Sequence, residues 1–457
     1  MPIATPKVSP WGKEVLPPTW SLSAWQRSTR EDPLVNRGRD EALPEFADVV
    51  IIGSGLSGAA VGYNLLTASN RPASVVCLEA RECTSGASGR NAGHCRPDTF
   101  RGFKEYADLH GEEQSAMILA SESITWRRMD AFIKEYAIDC EWTPRLTVDV
   151  AVGQEFKNYM EESIAQAKRA DAIKEDWMYL DPAATQQRTS LPSTLGSYGW
   201  QAATLNPAKL TYGVHRVNLT LGGYQLFTHA PVTSVDEAVR GEWLVQTTRG
   251  ALRAAKVVFA TNGYTKLILP ELAGLITPLA VQALQVGEHE PKLESSMSLR
   301  YGDRRYSVAQ RPNGKVVLSN TMTWVGQTEA EWQSLYENMD DSTPIEAATK
   351  DTMDEWLKHV PDADPNGFEF AWRGILGMTP DRAPWVGAIP GKEGQYIIAG
   401  MNGHGMARIF HCAPCAASLV LGGQWDETLP KAFECSQERI DTVRQKVKEG
   451  LLGYQKP

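Results

Sequence analysis

A glycine-rich turn that follows a buried strand constrains the fold of this chain more than any other feature. Residues 49–52 are continuously apolar, as expected for a strand that is buried on both faces of a parallel sheet. The turn Gly53-Ser54-Gly55-Leu56-Ser57-Gly58 follows, and an alanine-containing segment of helical length runs over residues 56–66. A second apolar run over residues 74–78 completes a strand–turn–helix–strand unit. This order predicts an α/β fold with a Rossmann-type domain.

The turn has the spacing of a dinucleotide-binding motif. Its first glycine permits a tight turn, its second lets the backbone approach a diphosphate, and its third lets the helix pack closely on the strand. The helix N-terminus then points its positive dipole at the phosphates. Glu79 follows Gly58 by 79 − 58 = 21 residues, which places it to bind ribose hydroxyls. Because this acid disfavours a 2′-phosphate, the sequence favours FAD or NAD over NADP.

The residues after Glu79 bear on the choice between FAD and NAD. Residues 84–95 are a second polar, glycine-rich stretch directly after the ribose-binding strand. Small residues, hydroxyl groups and Arg90 suit a long cofactor that lies along the chain, which favours FAD. A flexible loop of the same composition is the alternative that the residues alone leave open.

Charge, cysteine use and hydropathy exclude several classes of protein. The formal charge is −9, so we expect neither nucleic acid nor an anionic membrane surface as a partner. No stretch approaches the roughly 20 apolar residues of a membrane helix. Seven cysteines in 457 residues suit a reducing compartment and predict a cytoplasmic protein. The pair Cys412 and Cys415 has no second pair at zinc spacing, so we expect no metal site.

Four motifs, in order along the chain, resemble one family. Residues 79–93 read E-A-R-x(5)-A-S-G-R-N-A-G, and the other three motifs span residues 257–264, 372–387 and 400–406. Together they resemble the D-amino acid oxidase superfamily of FAD-dependent amine oxidoreductases. Within it they are most similar to the γ-glutamylputrescine oxidase branch and to a fungal-type group with a Pro/Trp-rich N-terminal extension. The resemblance covers about residues 46–425.

The resemblance implies which residues contact FAD, from the diphosphate to the flavin ring. Backbone amides of the turn at residues 402–405 would also stabilise the negative charge of a reduced flavin. The implied contacts are Gly53, Ser54, Gly55, Leu56, Ser57, Gly58, Glu79, Ala80, Arg81, Ala87, Ser88, Arg90, Asn91, Ala92, Gly93, His94, Val232, Thr261, Asn262, Gly263, Gly374, Gly403, His404, Gly405 and Met406.

The resemblance also bears on how FAD is held. Gly374 stands where monomeric sarcosine oxidases carry the cysteine that links the flavin. His94 and Cys95 are not at the family's usual linkage position either, so we expect non-covalent FAD, with His94 as the residue to examine.

Three residues, His404, Arg373 and His94, are the candidates for catalysis. His404 stands beside the flavin-contacting turn, where a structural histidine is the alternative. Arg373 is a candidate to bind a substrate carboxylate because its guanidinium matches a carboxylate bidentately. Arg96 and Arg311 are further candidates. Each of the three could equally be an ordinary surface or phosphate-side arginine, and for Arg311 this is the favoured interpretation. Trp372 and Trp385 are candidates to line the substrate pocket or to lie in the core. The chain shows no nucleophile triad, HExxH motif or carboxylate pair, in keeping with chemistry that belongs to the flavin.

We predict two interleaved domains between an N-terminal arm and a C-terminal tail. In the arm, Trp11, Trp20 and Trp25 are expected to pack against the body of the protein. The predicted parts are an extended arm (1–44), a Rossmann-type FAD-binding domain (45–100, 198–275 and 368–428), a mixed-sheet substrate domain (101–197 and 276–367) and a tail (429–457).

The predicted reaction is oxidation of the C–N bond of an amine or amino acid, with hydride transfer to flavin N5 and O2 as the acceptor, giving hydrogen peroxide. A dehydrogenase with another acceptor and an oxidase of a secondary-metabolite amine are the enzymatic alternatives. The non-enzymatic alternative is a flavin-holding structural or sensing subunit.

Overall fold

The computed structural model describes residues 20–191, 193–302, 304–320, 323–361, 363–364 and 367–453, the side chain of residue 240 excepted. The strands are β1 Phe46–Ile52, β2 Val75–Leu78, β3 His94–Cys95, β4 Thr143–Ala151, β5 Trp177–Leu180, β6 Ser197–Thr204, β7 Tyr224–Phe227, β8 Val232–Glu237, β9 Trp243–Thr247, β10 Gly250–Phe259, β11 Thr277–Glu288, β12 Ser296–Arg300, β13 Arg305–Gln310, β14 Lys315–Asn320, β15 Phe368–Met378, β16 Trp385–Ala388 and β17 Gln395–Ala399. The helices are α1 Ala24–Ser28, α2 Leu56–Thr67, α3 Phe103–His110, α4 Glu112–Glu135, α5 Gln154–Arg169, α6 Pro182–Thr189, α7 Pro207–Leu221, α8 Glu329–Gln333, α9 Glu346–Trp356, α10 Ile409–Val420 and α11 Gln437–Lys448.

The first sheet has eight strands and contains the predicted Rossmann unit. Its path is β16-β17-β10-β1-β2-β7, and the β8–β9 hairpin joins through β10. Strand β1 lies between β10 and β2 and is parallel to both. Residues 49–52 of β1 are buried, because helices cover the faces of a parallel sheet. The predicted α/β fold with a Rossmann-type part is confirmed.

The second sheet is mixed and has nine strands in the path β15-β11-β14-β13-β12-β4-β6-β3, with β5 beside β6. Among the described strands of this second sheet, only β4 and β12 pair in parallel. Side chains alternate between the two faces of each strand. We call the face that carries Val281 and Gly374 the inner face. On the opposite, outer face, Leu284, Leu318 and Trp356 share one apolar cluster.

Two segments whose sequence patterns are typical of a single helix, residues 104–136 and 405–421, are each divided in the structure. Residues 104–136 form α3 and α4, which are separated at Gly111, where φ is +86°. Residues 405–421 form a 3-10 turn, Gly405–Ala407, before α10 begins at Ile409. The predicted FAD-binding segments contribute strands to both sheets, among them β6 and β15 in the second. The domain boundaries given above therefore stay a proposal.

The described part of the N-terminal arm packs on the body of the protein. Trp25 is 1% exposed, and the guanidinium of Arg81 lies 5.2 Å from the ring of Trp20. Trp11 lies outside the described residues. Among the described helices, none combines the length and apolar character that crossing a membrane requires.

Candidate active site: a cavity lined by both sheets

One cavity is lined by the glycine-rich turn, by the second glycine-rich loop and by the inner face of the second sheet. It begins at the carboxyl ends of β1 and β2, the usual ligand position in a doubly wound sheet. The lining residues are Ile52, Gly53, Gly55, Ser57, Leu78, Glu79, Ala80, Arg81, Ser85, Gly86, Ala87, Ser88, Arg90, Asn91, Pro231, Val232, Ala260, Thr261, Asn262, Tyr264, Leu267, Ile268, Val281, Gly374, Ile375, Leu376, Met401, Gly403, Gly405, Met406 and Ile409.

The turn before α2 is shaped so that side chains would not fit. Gly53 has φ +110°, and a Cβ there would lie 2.6 Å from the carbonyl oxygen of Ala260. A Cβ at Gly58 would overlap the carbonyl oxygen of Gly53. Gly55 is the N-cap of α2 and provides no side-chain cap. A backbone cradle of this kind at a helix N-terminus fits a diphosphate, so the residues present suit FAD.

Glu79 lies at the end of β2 and is 9% exposed. Its Oε2 atom accepts hydrogen bonds from the backbone N–H and the hydroxyl of Ser54, at 3.0 and 2.7 Å. Its Oε1 atom accepts from the N–H of Arg81 at 3.0 Å. These bonds hold the carboxylate of Glu79 in the cavity wall, where it has acceptor capacity for ribose hydroxyls.

The second glycine-rich loop is fastened to the turn and to the second sheet. The Ser88 hydroxyl accepts a hydrogen bond from the N–H of Leu56 at 2.8 Å. Arg90 donates to the carbonyl oxygens of Ser85 and Arg373, at 2.7 and 2.9 Å. Its guanidinium therefore organises the loop instead of standing free for a phosphate.

A buried carboxylate pairs with both arginines of this region. Asp341 is fully buried and accepts from Arg81 at 2.9 Å, and Arg90 lies 3.5 Å away. The hydroxyl of Tyr264 also donates to Asp341 at 3.5 Å. Asp341 was not predicted from the sequence, because it lies in a short polar segment that belongs to no motif and is far along the chain from the second glycine-rich loop.

The turn after β17 is ordered by two asparagines. The Oδ1 atom of Asn262 accepts the N–H groups of Gly400 and Met401, both at 3.1 Å. The Oδ1 atom of Asn402 accepts the N–H of Thr379 at 2.8 Å. These bonds hold the backbone of Gly403 and Gly405 in the cavity wall, where it faces the inner side of the second sheet.

His404 belongs to this turn, but its side chain does not line the cavity. Its ring nitrogens lie 3.8 Å from Asp98 and 3.7 Å from Glu122. Burial and the cations Arg408 and Arg101 hold the pKa of His404 well below its ordinary value, so the imidazole is neutral. Asp98, Glu122 and His404 hold ligand atoms within 4.8 Å of one another. However, Arg101 already pairs with Asp98, and Arg408 pairs with Glu122 at 3.1 Å.

Most of the predicted cofactor contacts lie in the cavity wall, and some stand behind it. Gly263 and Gly58 support the wall through close backbone packing. The predicted contacts that do not line the cavity are Ser54, Leu56, Gly58, Ala92, Gly93, His94, Gly263 and His404.

The predicted carboxylate-binding arginines are engaged elsewhere. Arg373 donates to the carbonyl oxygen of Asp340 at 2.9 Å, and it precedes Gly374 on β15, so the alternation of side chains turns it to the outer face. Arg96 pairs with Asp149 at 2.5 Å. Arg311 pairs with Glu141 at 2.8 Å, and its side chain is largely buried.

The two predicted pocket tryptophans, Trp372 and Trp385, are buried core residues. The indole of Trp372 donates to the carbonyl oxygen of Arg90 at 2.8 Å. Part of the apolar wall was not predicted from the sequence. Pro231, Leu267, Ile268 and Ile409 line the cavity without belonging to a cofactor motif.

Comparison with known proteins defines the class. Residues 48–419 match the family described as FAD dependent oxidoreductase. The chain therefore belongs to this family, and it is an FAD-dependent enzyme.

Three distant relatives match over most of their own length. The probable oxidoreductase OrdL of Rhizobium meliloti is 24% identical over 400 residues, which are 85% of this chain and 86% of that protein. A glycine oxidase of Bacillus licheniformis is 21% identical over 86% of this chain and 97% of its own length. The crystal structure of glycine oxidase from Geobacillus kaustophilus superposes with a TM-score of 0.71 at 18% identity, covering 86% of this chain and 99% of that one.

Proposed function

We propose that this protein oxidises a small amine or amino acid, with non-covalent FAD in the cavity and O2 as the electron acceptor. The observation that carries the proposal is the single cavity that joins the turn at Gly53 to the inner-face residue Gly374 and the turn residue Gly403. Such a cavity suits a long dinucleotide whose redox ring lies against the second sheet. The names of the relatives, glycine oxidase among them, support an amino-acid substrate.

When bound, FAD supplies the acceptor for a hydride from the carbon that carries the amine nitrogen. The nitrogen loses a proton, and water hydrolyses the imine to a carbonyl compound and an amine. O2 takes up two electrons and two protons to form hydrogen peroxide. We assign the chain the tasks of orienting the amine, excluding water and holding donors toward developing negative charge.

The thiol of Cys95 supports non-covalent binding. It donates to the carbonyl oxygen of Met406, a cavity-lining residue, at 3.3 Å. Burial raises the pKa of Cys95 far above its ordinary value, so the nucleophilic thiolate is not formed. We expect acid precipitation of the holoenzyme to release all of its flavin into the supernatant. Flavin that stays with the precipitate would contradict this part of the proposal.

The test is anaerobic mixing of the purified holoenzyme with a panel of α-amino acids, N-methyl amino acids and diamines, followed by flavin absorbance. We expect at least one amine to bleach the flavin, and air to restore the colour with one peroxide per amine oxidised. Bleaching without peroxide would instead favour a dehydrogenase. A holoenzyme that none of these amines reduces would refute an amine substrate.

Two glycine variants provide the control for the cavity. Gly58→Ala places a Cβ against the carbonyl oxygen of Gly53, whereas Gly287→Ala meets nothing within 4 Å. We therefore expect Gly58→Ala to lose both flavin and activity, and Gly287→Ala to keep both.

A further inference from the structure

A buried carboxylate, Glu122 of α4, lies behind the turn that follows β17. The side chain of Glu122 is fully buried. Its Oε2 atom accepts a hydrogen bond from the backbone N–H of Asp98 at 2.7 Å, and its Oε1 atom accepts from the Arg408 guanidinium at 3.1 Å. Glu122 belongs to no motif of the sequence, and the steps of the proposed reaction do not use it.

The partner of Glu122, Arg408, belongs to the segment that forms this part of the cavity wall. Met406 and Ile409, on either side of Arg408 in the sequence, line the cavity, but Arg408 does not. Its fully buried guanidinium also donates to the hydroxyl of Tyr106 on α3, at 2.7 Å. The side chain of Arg408 is therefore directed away from the cavity, toward α3 and α4.

His404 connects this ion pair to a second one. Its Nδ1 atom lies 3.7 Å from Glu122, and its Nε2 atom lies 3.8 Å from Asp98. Asp98 in turn pairs with Arg101. Since the imidazole of His404 is neutral, the nearest charge that compensates Arg408 is the carboxylate of Glu122.

The contacts of Glu122 favour its ionised form. Both groups at hydrogen-bond distance from its oxygens are donors, and donors stabilise a carboxylate. Burial raises the pKa of Glu122, and the Arg408 guanidinium opposes this shift. In low-dielectric surroundings, removing one member of a buried ion pair leaves the charge of the other uncompensated.

An uncompensated cation behind the turn would act on the flavin. Reduction adds negative charge to the flavin ring, and Gly403 and Gly405 of the turn line the cavity where we place that ring. A fixed positive charge nearby stabilises the reduced form more than the oxidised form. The Glu122 carboxylate prevents this by offsetting the charge of Arg408.

We propose that Glu122 is a positioning residue for the flavin, which holds Arg408 behind the turn and offsets its charge, so that this buried pair sets the reduction potential of FAD. The inference rests on the proposed placement of the flavin ring at Gly403. It goes beyond the proposed function because it assigns a role to two residues that touch neither cofactor nor substrate.

The test uses three variants of the pair and one matched control. Glu122→Gln keeps the volume and removes the charge, Glu122→Asp keeps the charge on a shorter side chain, and Glu122→Gln with Arg408→Met removes both charges. The control is Glu355→Gln, because Glu355 is also a buried glutamate in an ion pair, with Lys358 at 2.6 Å, and does not line the cavity. Flavin content and melting temperature are measured first.

The main readout is the midpoint potential of the bound flavin, measured without oxygen against reference dyes in mildly alkaline buffer, which favours ionised Glu122. We expect Glu122→Gln to shift the reduction equilibrium about tenfold toward reduced flavin, which is about 30 mV for a two-electron couple. Glu122→Asp, the double variant and Glu355→Gln should stay within about threefold of the wild type, because each leaves the charge behind the turn balanced.

The sign of the shift separates charge from loss of shape. A turn that only became looser would bring fewer N–H groups to the reduced ring and would lower the potential. An unchanged or lowered potential in Glu122→Gln would therefore overturn the inference. A double variant that departs from the wild type by tenfold or more would also overturn it, and this variant decides the question if Glu122→Gln does not fold.

Titration of oxidised FAD into deflavinated protein gives a second readout. The oxidised ring is neutral, so we expect the Kd of Glu122→Gln for oxidised FAD to stay within about threefold of the wild-type value. A Kd that rises tenfold or more in Glu122→Gln would show a structural role alone and contradict the inference. Neither measurement needs an amine, so an amine panel that fails to bleach the flavin refutes the proposed function and not this inference.

Discussion

Trp25 of the N-terminal arm holds the second glycine-rich loop in place, so its removal should weaken FAD binding. Its indole donates to the carbonyl oxygen of Asn91 at 2.7 Å. A Cβ at Gly93 would lie 2.7 Å from the ring, so the loop backbone packs directly on the indole. The guanidinium of Arg311 lies 4.8 Å from the ring of Trp25.

Trp25→Ala removes all of these contacts from a site that is 1% exposed. Loss of a buried tryptophan costs about 3–5 kcal/mol. Asn91 lines the cavity, so part of this lost stabilisation should weaken the binding of FAD. We expect the Kd for FAD to rise at least tenfold, which corresponds to about 1.4 kcal/mol. Trp25→Phe keeps the ring packing and loses the hydrogen bond, worth about 1 kcal/mol.

The assay is titration of FAD into deflavinated protein by fluorescence, with thermal unfolding in parallel. Trp243→Ala is the matched control. The indole of Trp243 also donates to a backbone carbonyl oxygen, that of Glu393, at 3.0 Å, but Trp243 does not line the cavity. We expect Trp243→Ala to lower stability while leaving the Kd for FAD near the wild-type value. If Trp25→Ala binds FAD as tightly as the wild type, the reasoning is wrong.

Three further predictions concern buried charges and the turn. Asp341→Asn leaves Arg81 and Arg90 without a buried counter-ion and should lower the free energy of unfolding by about 3 kcal/mol or more. Asp340 is 51% exposed, so Asp340→Asn should change the free energy of unfolding little. Equal melting temperatures for the two variants would contradict this prediction. Burial lowers the pKa of His215 to about 4, so the unfolded chain takes up the proton first. The unfolding free energy should therefore fall by about 1.4 kcal/mol per pH unit from this group between about pH 6.5 and pH 4, and this contribution should level off below pH 4. His215→Gln should flatten that acid dependence in urea melts, and an unchanged slope would refute the assignment. Gly58→Ala should purify colourless while Gly287→Ala stays yellow; flavin retained by Gly58→Ala would mean that the turn does not hold the cofactor.

Sequence reasoning found the parts of the fold whose local pattern is unambiguous. The continuous apolar run of β1 and the glycine turn predict the Rossmann unit. The residues Arg311-Pro312-Asn313-Gly314 between two apolar runs are typical of a hairpin turn, and β13 and β14 form that hairpin. The long strands β11 and β15 were not predicted as strands. Their central residues pair with each other over most of their length, and glycines and polar residues obscure a period-two pattern.

Fewer residues of the candidate site could be predicted from the sequence, and the reason is physical. Which face a strand residue occupies depends on register, and register is set by partners far away in the chain. Arg373 stands next to Gly374 in sequence, yet the two point to opposite faces. His94 and Thr204 lie far apart in the sequence, and only the pairing of β3 with β6 brings them together. The similarity to the γ-glutamylputrescine oxidase branch stays a prediction.

The most direct test of the account is an experimental structure of the protein with FAD. We predict ribose hydroxyls within hydrogen-bond distance of the Glu79 carboxylate, a diphosphate on the turn from Gly53 to Gly58, and the flavin ring against Gly374 and Gly403. An FAD molecule bound outside this cavity, or one that lies in it with the flavin ring at Glu79, would contradict the account.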